Sequence, residues 1–152
     1  MNNEVVFSQE LDVQGGDFVR GGESSCRILE ILKELAFPPA IVRRAGIAAY
    51  EAEMNIVMYA EHGKLKLTVT PDRIMIVAED QGPGIKDIDL AMQEGYSTAT
   101  DEIREMGFGA GMGLPNIRKN SDDMEISSTI GEGTRVEIVI RANHEGTGNE
   151  DT

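Results

Sequence analysis

The alternation of apolar and polar residues changes period twice along the chain. Residues 4–13 mix Val5, Val6, Phe7, Leu11 and Val13 with polar neighbours, a weak strand signal. Gly15-Gly16 and Gly21-Gly22 break the chain around Phe18-Val19. Ile28, Ile31, Leu32 and Leu35 then recur at i, i+3, i+4 and i+7, the spacing of one helix face. Pro38-Pro39 ends this helix and opens a second, because proline lacks the N–H that a helix interior needs and the first turn does not. The second helix extends to about Ala60, with Ile41, Ala45, Ala48, Ala52, Ile56 and Tyr59 on one face.

From there the period is two. Leu65, Leu67 and Val69 alternate with Lys64, Lys66 and Thr68, a half-buried strand. Thr70-Pro71-Asp72-Arg73 reads as a hairpin turn. Ile74 to Ala78 is nearly continuously apolar and therefore predicts a central strand. A short helix is expected near Ile88–Gln93, and one or two helical turns over Leu114–Asn120. Met124–Ser128 and Arg135–Ile140 read as strands joined by Ile130-Gly131-Glu132-Gly133. Residues 94–113 carry glycine, threonine and charge without a period, too long for a plain connector, so a functional loop or lid is expected. This order predicts an α+β fold: a two-layer α/β sandwich, its sheet mostly antiparallel, with helices on one face. Residues 1–141 are expected to form one domain, and residues 142–152 an acidic, disordered tail.

Composition narrows the function classes. The 152 residues carry a formal net charge of −13, which argues against nonspecific binding to nucleic acid or an anionic membrane. No apolar run approaches a membrane span, and Met1-Asn2-Asn3-Glu4 lacks the basic and apolar regions of a signal peptide. The single Cys26 excludes an internal disulfide and a cysteine metal cluster, and reads as a small buried hydrophobe on a helix. A cytoplasmic globular protein is expected.

Three stretches carry candidate chemistry. Glu51 and Asn55 are four apart on the second helix, so their side chains leave the same face one turn apart. A glutamate there could take a proton from a hydroxyl or water, and an asparagine oxygen is a suitable hard ligand for Mg²⁺. The ordinary reading of such a pair is a solvated helix face, and Glu53, on another face, fits that reading. Asp80 ends the central strand and enters Gly82-Pro83-Gly84. Its carboxylate could accept from an exocyclic amine, with the glycines admitting a flat ring; the ordinary reading is a plain turn. From Gly107 to Gly113 every second residue is glycine, as a backbone closing around phosphate requires. No Lys-Ser or Lys-Thr follows, so this is not a Walker A loop, and Phe108, Met112 and Leu114 are too apolar for a solvated linker.

In order and spacing, these elements resemble the GHKL superfamily of ATP-binding proteins. Glu51-x-x-x-Asn55 looks like its N box, Asp80-x-Gly82-x-Gly84 like its first glycine box, and Gly109-x-Gly111-x-Gly113 like its second. Gly133-Thr134-x-Val136 is similar to its last strand signature, and the likeness covers roughly residues 25–140. The implied fold is the Bergerat sandwich. Within the family the chain is most similar to the small bacterial anti-sigma and switch serine/threonine kinases, through Glu79–Ile85, Gly95-Tyr96-Ser97-Thr98 and Met58-Tyr59-Ala60. It departs from the switch kinases in a longer, charged lid over Ala99–Met106.

The resemblance implies ATP and Mg²⁺ as cofactors. Asp80, supported by Thr134, would bind the adenine amine, with Gly82 and Gly84 beside it. Asn55 would ligate Mg²⁺. Gly109, Ala110, Gly111, Met112, Gly113 and Leu114 would wrap the phosphates, and Glu51 would be the general base. Glutamate at this place disfavours histidine transfer, since the histidine-kinase branch commonly has asparagine there. The two histidines, His62 and His144, stand at a helix end and in the tail. The clamp ATPases of the superfamily share the glutamate but add large transducer domains. The implied function is phosphoryl transfer to a serine or threonine of a STAS-domain anti-sigma antagonist. The alternative is an ATP-gated module that binds a sigma factor or other regulator with little catalysis. A homodimer is compatible with either.

Overall fold

The computed structural model describes residues 4–106 and 109–142. Residues 143–152 of the expected tail, with His144, and the Gly107-Phe108 start of the glycine run lie outside the described residues; Ala142, placed at the start of that tail, is instead buried, and its N–H donates to Asp72 O at 2.8 Å.

Among the described residues, five strands form one sheet: β1 (Phe7–Gln14), β2 (His62–Thr70), β3 (Arg73–Gln81), β4 (Asp123–Thr129) and β5 (Gly133–Arg141), in the order β1-β2-β3-β5-β4. Every neighbouring pair is antiparallel. The period-two pattern sets the register. Leu65, Leu67 and Val69 of β2 face Ala78, Ile76 and Ile74 of β3, which in turn face Val136, Ile138 and Ile140 of β5. All nine are buried, while Lys64, Lys66 and Thr68 turn to the other face. The nearly continuous apolar run of β3 is thus central, as expected. Thr70 Oγ1 accepts the N–H groups of Asp72 (3.3 Å) and Arg73 (3.2 Å) and closes the hairpin that the sequence announces.

The helices α1 (Glu23–Glu34) and α2 (Pro39–Tyr59) pack together, and α2 lies against β1, β2, β3 and β5. Ala45, Ala48, Ala49 and Ala52 are all buried where α2 packs among the sheet, α1 and α5. Two stripe residues fall outside the core. Leu35 is exposed because α1 stops there, Ala36 turning the chain at φ 64°. Tyr59, the last residue of α2, is exposed toward the lid.

Two other expectations are corrected. Cys26 is exposed, because the buried face of α1 is Ser24, Ser25, Ile28, Ile31 and Leu32. Glu53 is not solvated but buried, at 2 % exposure. The α1 N-cap is Gly22, which offers no side chain, and Glu53 caps the helix from α2 instead. It accepts the N–H groups of Gly22 (3.0 Å), Ser24 (3.2 Å) and Ser25 (2.9 Å).

Three short helices follow the third strand: α3 (Ile88–Ala91), α4 (Asp101–Glu105) and α5 (Gly113–Lys119). Helices α3 and α5 match the short helices expected near Ile88–Gln93 and Leu114–Asn120, whereas α4 forms within the stretch expected to be an aperiodic loop. Its signals are local rather than periodic: the Thr100 side chain accepts the Ile103 N–H at 3.2 Å, acids occupy the first turn and Arg104 the last. No helix among the described residues is long and apolar enough to cross a membrane.

Candidate functional site

A cavity of about 1290 Å³ opens between α2, the end of β3, the start of β5 and the segment leading into α5. Its walls include Glu51, Asn55, Asp80, Gly84, Ser128 and Thr134, and the continuous run from Gly109 to Leu114. Residues scattered over more than eighty sequence positions thus face one space.

The floor is built by the sheet. Asp80 follows Ala78 on the inner face of β3, so its half-buried carboxylate looks into the cavity. One oxygen, Oδ1, accepts the Thr134 N–H at 3.2 Å. Burial pushes the Asp80 carboxyl above its usual value, and the Thr134 hydrogen bond partly opposes this. Thr134 pairs across the ladder with Ser128, a site residue that no sequence motif marks. The Ser128 hydroxyl accepts the Ile85 N–H at 2.7 Å and lies 2.9 Å from Thr134 Oγ1 and 3.1 Å from Gly133 O. It therefore ties the first glycine loop to the β4–β5 hairpin. Ser128 could have been found by registering the two final strands across their turn, which sets it opposite Thr134. Gly133, at φ 151°, has no room for a side chain: a Cβ would run into the Asp80 carbonyl.

The two glycines of the first loop are placed differently. Gly84 lines the cavity and has its back to Thr129 and Ile130. Gly82 is not on the wall; a Cβ there would stand 3.1 Å from Ala60 Cα and from Asp80 Oδ1. A Cβ at 82 would crowd Ala60 and Asp80, so the chain packs closely on itself there.

On the opposite wall, Glu51 and Asn55 leave α2 one turn apart and meet the end of the second glycine run. A Cβ on Gly113 would stand 3.2 Å from Asn55 Oδ1 and 3.4 Å from Glu51 Oε1. The run is held by its neighbours: Gly111 O accepts the Gly95 N–H at 2.9 Å, and its φ of 80° favours glycine. Tyr59 Oη lies 3.5 Å from Ser97 Oγ, Arg104 donates to Ser97 O at 3.2 Å, and Lys119 pairs with Glu94 at 2.6 Å. These contacts draw the lid across the end of α2 and onto α5.

The donor set suits a nucleotide with a hard cation. A carboxylate with one oxygen already engaged offers the other to an amine. An amide oxygen stands beside exposed main chain. No group of three or more His, Cys, Asp or Glu residues among the described ones could hold a metal. A cation at Asn55 would draw its other ligands from phosphate and water, the usual Mg²⁺ arrangement.

A family model described as histidine kinase-, DNA gyrase B-, and HSP90-like ATPase matches residues 42–144. The chain is 35% identical over 113 residues to the serine/threonine-protein kinase RsbT of Bacillus subtilis (strain 168), covering 72% of this chain and 79% of that one. It is 32% identical over 123 residues to the anti-sigma F factor of Thermoanaerobacter sp. (strain X514), covering 76% and 82%. A chain in the crystal structure of the SiaB–SiaC complex from Pseudomonas aeruginosa shares the fold, with a TM-score of 0.59 at 13% identity over 90% of this chain and 89% of that one. The boxes, the antiparallel sandwich and these likenesses agree: the chain belongs to the histidine kinase-, DNA gyrase B- and HSP90-like (GHKL) ATPase family, with a serine/threonine protein kinase and anti-sigma factors among its relatives.

Proposed function

We propose that this protein is a serine/threonine kinase that transfers the terminal phosphoryl group of Mg-ATP to a hydroxyl on a STAS-domain partner. The observation that carries the reading is the placement of Glu51: a carboxylate beside Asn55, facing the last glycine of the phosphate-type loop. Asp80, with Thr134 behind it, would hold the adenine amine. Asn55 would hold Mg²⁺, which supplies charge neutralisation at the phosphates. The main chain of Gly109–Leu114 would wrap the phosphates and exclude water. Glu51 would take the proton of the acceptor hydroxyl as its oxygen bonds to the terminal phosphorus and ADP departs. A serine hydroxyl gains more from a positioned base than a neutral histidine does, which accords with a glutamate at this place.

The test is incubation with radiolabelled ATP and candidate STAS proteins. Label in the partner is expected, and Glu51→Ala should bind ATP normally yet transfer none. Undiminished transfer by that variant removes Glu51 from its role.

A second reading is an ATP-gated module that binds a sigma factor or another regulator, acting in the cytoplasm, alone or as a homodimer. The likeness to anti-sigma F factors and the contacts that tie the lid to α2 and α5 favour it. A nucleotide-dependent complex without label would select this reading over the first.

A further inference from the structure

Glu51 has a partner that the Glu-x-x-x-Asn motif does not contain. Asn116, on α5, donates its Nδ2–H to Glu51 Oε2 at 3.2 Å. The other oxygen, Oε1, is the one nearest Gly113. The carboxylate is therefore divided, one oxygen fixed by an amide and the other turned to the glycine run. A glutamate side chain free on a helix samples several rotamers, and a single directional hydrogen bond selects among them.

Asn116 is itself well anchored. Its N–H donates to Met112 O at 2.8 Å, and its carbonyl accepts from the Asn120 main chain (3.2 Å) and the Asn120 side chain (2.9 Å). Leu114, Pro115 and Ile117 of the same helix are buried, and α5 packs on α2. The carboxamide is thus presented from a fixed element that begins where the glycine run ends.

The geometry points to Asn116 as a positioning residue for Glu51, one that holds Oε2 so that Oε1 is presented to the acceptor hydroxyl. This inference rests on the proposed phosphoryl transfer. Asn116→Asp keeps the size but removes the donor, and Asn116→Leu removes it without adding charge. Both should lower kcat for label transfer from ATP to the partner by roughly ten- to a hundredfold, the range expected when a reacting group is slightly misplaced. KM for Mg-ATP and the melting temperature should stay at wild-type values. Asn116→Gln, which retains a donor, should recover part of the rate.

Wild-type kcat in Asn116→Leu overturns the inference. So does a parallel loss of kcat, ATP affinity and melting temperature, which marks a purely structural residue. Transfer by Glu51→Gln at the wild-type rate, or no partner labelled by the wild-type chain, defeats the base reading itself, and the assignment of Asn116 falls with it. An inactive Glu51→Gln beside a fully active Asn116→Leu rejects Asn116 alone.

Discussion

At Asp80 one carboxylate oxygen is committed to the Thr134 N–H, and the second is left for a ligand. Asn at this position would keep its carbonyl on Thr134 and turn its NH₂ toward the adenine amine, donor against donor. Asp80→Asn should therefore weaken ATP binding about tenfold or more, measured by calorimetry, while leaving the fold intact. Unchanged affinity would contradict the adenine assignment. The pH dependence follows from burial, which raises the Asp80 carboxyl above 3.8. An amine donor favours the ionised form, so affinity is complete above the raised value and is lost as pH falls through it, earlier than for an exposed aspartate. Folding stability of the ligand-free chain carries the opposite sign from this group: its contribution is present at acid pH and lost as pH rises through the folded value. Glu51, Asn55 and Asp80 stand out in the sequence only through the ordered set of boxes that resembles the GHKL family; helix period and strand end alone leave a solvated face and a plain turn. Ser128 carries no motif and emerges only from the register of the β4–β5 hairpin, while Asn116 matters only through a partner that tertiary structure brings to it.

Among the elements, α1 depends on another element for its start. Its N-cap glycine leaves the first-turn N–H groups to Glu53 of α2, thirty-one residues from Gly22. Glu53→Ala would strand three donors, two of them in buried bonds, and should cost about 3 kcal/mol or more in urea unfolding. Glu53→Gln, which keeps one acceptor, should cost less. A loss below about 0.5 kcal/mol, the range of an ordinary surface change, would refute the cap. The sequence could not show this role, since a lone glutamate on an alanine-rich helix reads as a solvated face. The long helices and central strands were readable from period alone. The lid helix α4 was not, because five residues are too few to show a period.

Over the whole molecule, charge is the least balanced quantity. Acids exceed bases by 27 to 14. The outward sheet face carries local pairs, Lys64–Glu10, Arg135–Glu79 and Arg141–Asp123, all exposed and each worth little. Net self-repulsion should outweigh them. Raising salt from about 10 to 200 mM should lift the melting temperature by about 2–4 °C, equivalent to about 1 kcal/mol. A fall with salt would show that the pairs dominate. The α2 helix adds a practical consequence. Glu51 and Glu53 stand two positions apart, one facing the cavity and the other buried under α1. A mutational scan that scored only lost signalling would flag both as equals. Cooling the cells would separate them: a variant at 53 should regain signalling at low growth temperature, and one at 51 should stay silent at every temperature.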